Sequence, residues 1–317
     1  MRTFTKVLLI SWPLLLPALT SAAVPADIPQ LLAAVKAGPS AGDKSPFLQA
    51  GRALQEKMKD VSARTPSLKK QLLELAANRN REIQNAAYDS LMEFKGDPDV
   101  RNLFTNALHS HPNAMTRGVM TGRLMVNTDR NSSIFPELKK ALDDESEFVR
   151  VRAAEDLGRQ GDYSGLEVMK KILSETPVAD PHPKIGSLDS DGRIGTAARA
   201  AGEILHPDLL PLLKRLAEME KTAPRSAGEA RSSMWLLELK LAKHEGKMQK
   251  LRSIAQLENG NGMFWIERTL VYKLDALKIS KEDVISVLKE SVASPDFNTS
   301  HGAKAAIRRY EFIGAKR

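Results

Sequence analysis

Residues 149–162, VRVRAAEDLGRQGD, put two thin apolar stripes on one short helix. Val149, Ala153 and Leu157 stand four apart, and Val151, Ala154 and Gly158 run along the adjoining flank. A helix that faces a single core carries one broad apolar stripe. Two narrow stripes, rich in Ala and Gly, mean close neighbours on two sides, with helix axes only about 8–10 Å apart. In this reading Gly158 and Gly161 end the helix and Asp162 caps the next one.

The pattern returns along the chain. Ile83, Ala87 and Leu91 lie 66 residues before Val149, Ala153 and Leu157, which is two periods of 33, and Leu124 falls 33 from both Leu91 and Leu157. Residues 193–202, RIGTAARAAG, set Ala197, Ala198, Ala201 and Gly202 where the first stretch has Ala153, Ala154, Leu157 and Gly158. A period of roughly 30–45 residues in a helical chain signals stacked helix pairs. No segment beyond residue 25 alternates as a strand does, and Asp97-Pro98, Gly161-Asp162, His206-Pro207 and Asn261-Gly262 punctuate the helices.

The spacing therefore predicts an all-α fold. First helices are expected near 66–78, 97–109, 133–143, 163–174, 207–219, 245–257 and 281–292. Second helices follow near 80–95, 112–126, 146–160, 191–205, 224–243, 262–275 and 299–313. Residues 24–65 supply a further pair, at 26–37 and 45–61, as an N-terminal cap, and residues 66–317 the array itself, with one long loop at 176–191. Seven or eight such pairs stack into an α-solenoid whose groove runs for roughly 70–80 Å.

On these residues the chain resembles the HEAT-repeat family, in the short variety first noted in phycobilisome lyases. Val149-Arg150, Ala153-Ala154, Leu157-Gly158 and Gly161-Asp162 carry the resemblance, preceded by Leu138 to Leu142 and the acidic turn Asp143-Asp144. The resemblance implies an α-α superhelix and a structural part for Arg150, at the position where the family has an arginine that braces a neighbouring turn. It implies no one activity, because such arrays serve many. The family's name also brings a third reading, an enzyme or enzyme accessory of lyase type.

The first 23 residues read separately. Met1 to Lys6 give a basic start, Val7 to Leu19 an apolar run, and Thr20-Ser-Ala-Ala23 a small-residue end suited to a signal peptidase. The run is short of the roughly 20 residues of a membrane span, and Pro13 and Pro17 interrupt it, so an export signal is expected rather than an anchor. The chain has no cysteine, which removes disulfides, thiolate metal sites and a cysteine nucleophile and suits a bacterial periplasm or exterior. Sequons at Asn131 and Asn298 keep a eukaryotic secretory route open. The formal charge is +8, and +6 without Arg2 and Lys6, spread over 45 basic and 39 acidic residues. That balance describes a mixed surface with a slight preference for acidic partners.

Three sets of residues are candidates for contact with a partner. Arg152 and Arg159, extended by Arg117 and Arg123, would form a basic stripe, although Glu155 and Asp156 share the face and pair with it at i,i+4 spacing. Trp235 and Trp265 fall 30 residues apart on successive second helices, with Tyr272 seven further on. They form either an aromatic patch or filling between repeats. The long loop brings His182 and Asp189, beside Asp180 and Asp191, as partner-contact residues or weak cation ligands, with Asp191 more simply capping the helix near Arg193. His109 and His111 lack companions for a metal, and His206 and His301 stand at helix starts. No nucleophile elbow, zinc-protease helix, phosphate loop or dinucleotide fingerprint occurs. The expectation is a non-enzymatic exported scaffold, without metal or cofactor, for a protein or peptide. The alternative is a binder of acidic polymer such as nucleic acid, anionic glycan or lipid headgroups.

Overall fold

A computed structural model describes residues 27–40, 42–127, 134–178, 190–257 and 261–314, the last two without their side chains. The export signal, Asn131, Asp180, His182 and Asp189 lie outside the described residues. Among those described there are 17 α-helices and no strand, so the chain is all-α. It divides into two compact units, residues 1–103 and 104–317, with the boundary inside one helix.

The first unit holds α1 (Ile28–Ala37), α2 (Ser45–Lys57), α3 (Pro66–Ala76) and α4 (Arg81–Leu91), and α5 (Pro98–Ser110) begins in it. Each start has a local cause. Asp27, Thr65, Asn80 and Asp97 accept hydrogen bonds from amides two or three residues on, and Pro29, Pro66 and Pro98 occupy first-turn positions whose N–H has no helical partner. The pair α1 and α2 packs on α4, and α3 packs on α4.

The second unit continues with α6 (Ala114–Asn127), α7 (Phe135–Lys140), α8 (Glu147–Arg159), α9 (Leu166–Ser174), α10 (Ser190–Ile204), α11 (Leu210–Ala217) and α12 (Pro224–Leu241). After these come α13 (His244–Ala255), α14 (Asn261–Arg268), α15 (Leu274–Leu277), α16 (Lys281–Val292) and α17 (Phe297–Gly314). The helices α6, α8, α10 and α12 pack in succession, while α9, α11 and α12 to α13 cover them from the other side, and α17 lies against α14 and α16. The two stripes of α8 thus have two sets of neighbours: α6 and α10 on its flanks, α7 and α9 behind.

Small residues sit where these helices come closest. A Cβ added to Gly158 would lie 2.6 Å from Ile204 of α10, and one on Gly202 would lie 3.2 Å from the Cα of Ser233 in α12. One added to Gly165 would meet the Cα and Cβ of Ala154 at 2.6 and 2.4 Å. Gly158 is therefore a packing site inside α8 and does not end it, contrary to the sequence expectation. Gly161 ends it: φ is +80°, and the Asp162 N–H returns to the Leu157 carbonyl at 3.1 Å. Asp162 accepts from the Ser164 N–H at 2.9 Å, forming a turn ahead of α9 rather than its cap.

Two helices depart from the expected pattern. The predicted helix over 262–275 breaks after Arg268 into a 3-10 turn at Leu270–Tyr272 and the short α15, in a stretch with β-branched Thr269 and Val271, which crowd a helical backbone. The helix expected over 207–219 opens as a 3-10 turn at Pro207–Leu209, because Pro211 has no N–H to return to the preceding turn.

Candidate functional site

The 33-residue period is visible as a repeated brace. Arg150 Nη1 donates to the carbonyls of Asp144 and Glu145 at 2.8 and 3.0 Å. Arg117, one period earlier, donates through Nη1 to the carbonyl of His111 at 2.9 Å, and Gln84, one period before that, reaches the carbonyl of Ala76 at 3.0 Å. Each side chain fixes the turn before its own helix. Arg117 also clamps the next turn, with Nε and Nη2 on the two carboxylate oxygens of Asp144 at 2.8 and 2.9 Å and Nη2 on Glu145 at 3.0 Å.

That geometry overturns the basic stripe. Arg117 and Arg123 are buried rather than displayed on a surface. Glu155 and Asp156, expected on a solvated face, are buried too, because α8 has neighbours on both flanks. Glu155 accepts from Arg152 and Arg159 at 2.6 Å each, and Asp156 from Arg159 at 3.1 Å, so the i,i+4 pair expected between Arg152 and Asp156 is replaced by Arg152 with Glu155. The network then crosses to α10, where Arg159 meets Glu203 at 3.1 Å and Arg199 lies 3.8 Å from Glu155, and reaches Lys273, which holds Glu203 after α14. Buried carboxylates persist because cations compensate their lost hydration. Burial opposes ionisation of Glu203, but Lys273 and Arg159 outweigh it and hold its carboxyl below the usual range. Four cations and three anions leave this face close to neutral.

The Arg117–Asp144 pair makes stability depend on pH. Burial raises the Asp144 carboxyl, yet the Arg117 guanidinium, the Ser146 amide and Arg150 bring it below its ordinary 3.8. A depressed native carboxyl stabilises the fold above that ordinary value and loses its contribution as pH falls through the lower, native one. Asp144→Asn is expected to lower stability at neutral pH by about 1.5–3 kcal/mol. Urea unfolding at descending pH checks it: the gap between parent and variant closes below about pH 4.

The tryptophans are buried filling between helices. Trp235 and Trp265 meet edge to face, with ring centres 5.2 Å apart, and the Trp265 Nε1–H donates to Ser232 Oγ at 2.6 Å, tying α14 to α12. Tyr272 separates from them onto the surface, 67% exposed. Of the long loop, Ser190 Oγ accepts from the Val178 N–H at 2.8 Å and donates to its carbonyl at 2.9 Å, joining the described ends. Asp191 caps a different helix from the one expected: its carboxylate accepts from the amides of Arg225 and Ser226, 3.1 and 2.7 Å away, at the start of α12. His109 pairs with Glu137 at 2.6 Å, His111 and His206 accept from the amides of Asn113 and Asp208, and His301 stacks on Phe297.

One surface was not legible in the sequence. Arg268 lies over the Phe264 ring, 5.6 Å from its centre, and Arg309 over the Tyr272 ring at 5.8 Å, with Arg309 Nη2 donating to the Tyr272 hydroxyl at 2.7 Å. Phe264, Tyr272 and, one turn beyond Arg309, Phe312 are 63%, 67% and 61% exposed. The Phe264–Arg268 spacing of four was a local signal. The join of Tyr272 to Arg309 depends on α17 docking on α14, where Gly302 approaches Met263 and the buried Tyr310 hydroxyl donates to the Ile266 carbonyl at 3.1 Å.

No protein-family model and no curated protein matches the chain. Among the described residues no helix is long and apolar enough to cross a membrane, and no three potential metal ligands gather.

Proposed function

We propose that the chain is an exported array of HEAT-like helix pairs that holds a protein or peptide partner, working in a bacterial periplasm or outside the cell. The observation that carries the reading is the surface formed by Phe264, Arg268, Tyr272 and Arg309, whose residue types concentrate binding energy at protein interfaces. The repeated brace at Gln84, Arg117 and Arg150, and the glycines between successive helices, support the array. The signal-like residues 1–23 and the absence of cysteine support export.

Chemical cross-linking of the chain in its own cells, followed by mass spectrometry, tests the function. A discrete protein partner, cross-linked in a salt-tolerant complex, is expected. Recovery of no protein partner would contradict the reading, as would recovery of nucleic acid or glycan alone with steep salt dependence.

A further inference from the structure

We infer that the Phe264–Arg268–Tyr272–Arg309–Phe312 surface binds an acidic peptide segment that also presents apolar or aromatic side chains. The inference rests on the scaffold reading and adds the chemistry of the partner. Charge placement is the first ground. Elsewhere in this unit the guanidinium groups of Arg117, Arg152, Arg159 and Arg193 are held by carboxylates at 2.6–3.0 Å. On this surface the pattern changes. Arg309 hydrogen-bonds the neutral Tyr272 hydroxyl, Arg308 donates to the Lys304 carbonyl at 3.4 Å, and Arg268 has Glu267 only at 3.7 Å.

Ring geometry is the second ground. A guanidinium lying over an aromatic face keeps its N–H edge directed outward, where a carboxylate can take two parallel hydrogen bonds. The same stacking covers one face of Phe264 and one of Tyr272, faces that a nucleic-acid base would need for stacking. Their uncovered surfaces and Phe312 remain for the apolar side chains of a peptide. Arginines with exposed aromatics thus match alternating acidic and apolar groups.

Selection of a random-peptide display library on the immobilised chain tests this directly. The expected result is enrichment of peptides with Asp or Glu interleaved with Phe, Leu or Trp, which compete with one another. Their affinity should fall by about thirtyfold or more in the double variant Arg268→Glu, Arg309→Glu. Arg268→Glu alone, at a side chain 57% exposed, gives the same direction if the double variant loses its helical circular dichroism. Enriched peptides that are neutral or basic, or that bind Arg268→Glu as well as the parent, overturn this inference and leave the scaffold reading standing. A library that yields no binder removes both.

Discussion

Ala154→Glu lowers the stability of the folded chain by about 3–5 kcal/mol. Ala154 is buried in α8 against the start of α9, so close that Gly165 opposite has no room for a Cβ, and Leu142 lines the same contact. A glutamate there must either push two helices apart or lose its hydration beside apolar groups, and both options are costly. Urea unfolding followed by circular dichroism measures the cost. Parent-like stability would mean that the second stripe of α8 faces water, and the reason for its small residues would be gone.

Trp265→Ala is the second large effect, about 3–5 kcal/mol. The substitution removes the edge-to-face contact with Trp235, the hydrogen bond to Ser232 and much of what joins α14 to α12. Trp265→Phe keeps most of the volume and loses the indole donor, so it should cost about 1 kcal/mol from the hydrogen bond alone, plus whatever the smaller ring leaves unfilled. A partner-contacting tryptophan on the surface would give the opposite pattern: unchanged unfolding and weakened binding. The pair of melting curves separates the two roles without knowledge of any ligand.

Helix positions were legible because their causes are local. Asp97-Pro98 contains both a capping side chain and a residue suited to the first turn, and α5 starts there. The apolar spacing of residues 149–157 needed only the period of a helix. Side-chain destinations were harder to read. Glu155 and Arg152 look like a solvated pair on any helical wheel, and they became a buried cluster because α6 and α10 close over both flanks. Gly158 resembled a helix end since glycine has two common uses there, and only the position of Ile204 distinguishes them. Asp191 had a cap to make either way, and the amides of α12, far along the chain, took it. Tyr272 was singled out with the tryptophans by spacing, but the break after Arg268 sends it to Arg309 instead.

The account stands on one relation: a second helix touches the second helix one repeat later through small side chains. The cysteine-free chain permits a clean measurement of it. A Cβ on Gly51 of α2 would lie 3.7 Å from the Cβ of Ala86 in α4, within the separation of roughly 3.5–4.5 Å that a disulfide spans. Gly51→Cys with Ala86→Cys should close that bond inside one molecule on mild oxidation, leaving no thiol for maleimide and keeping the helical circular dichroism. Two freely labelled thiols in a folded, oxidised sample would contradict it.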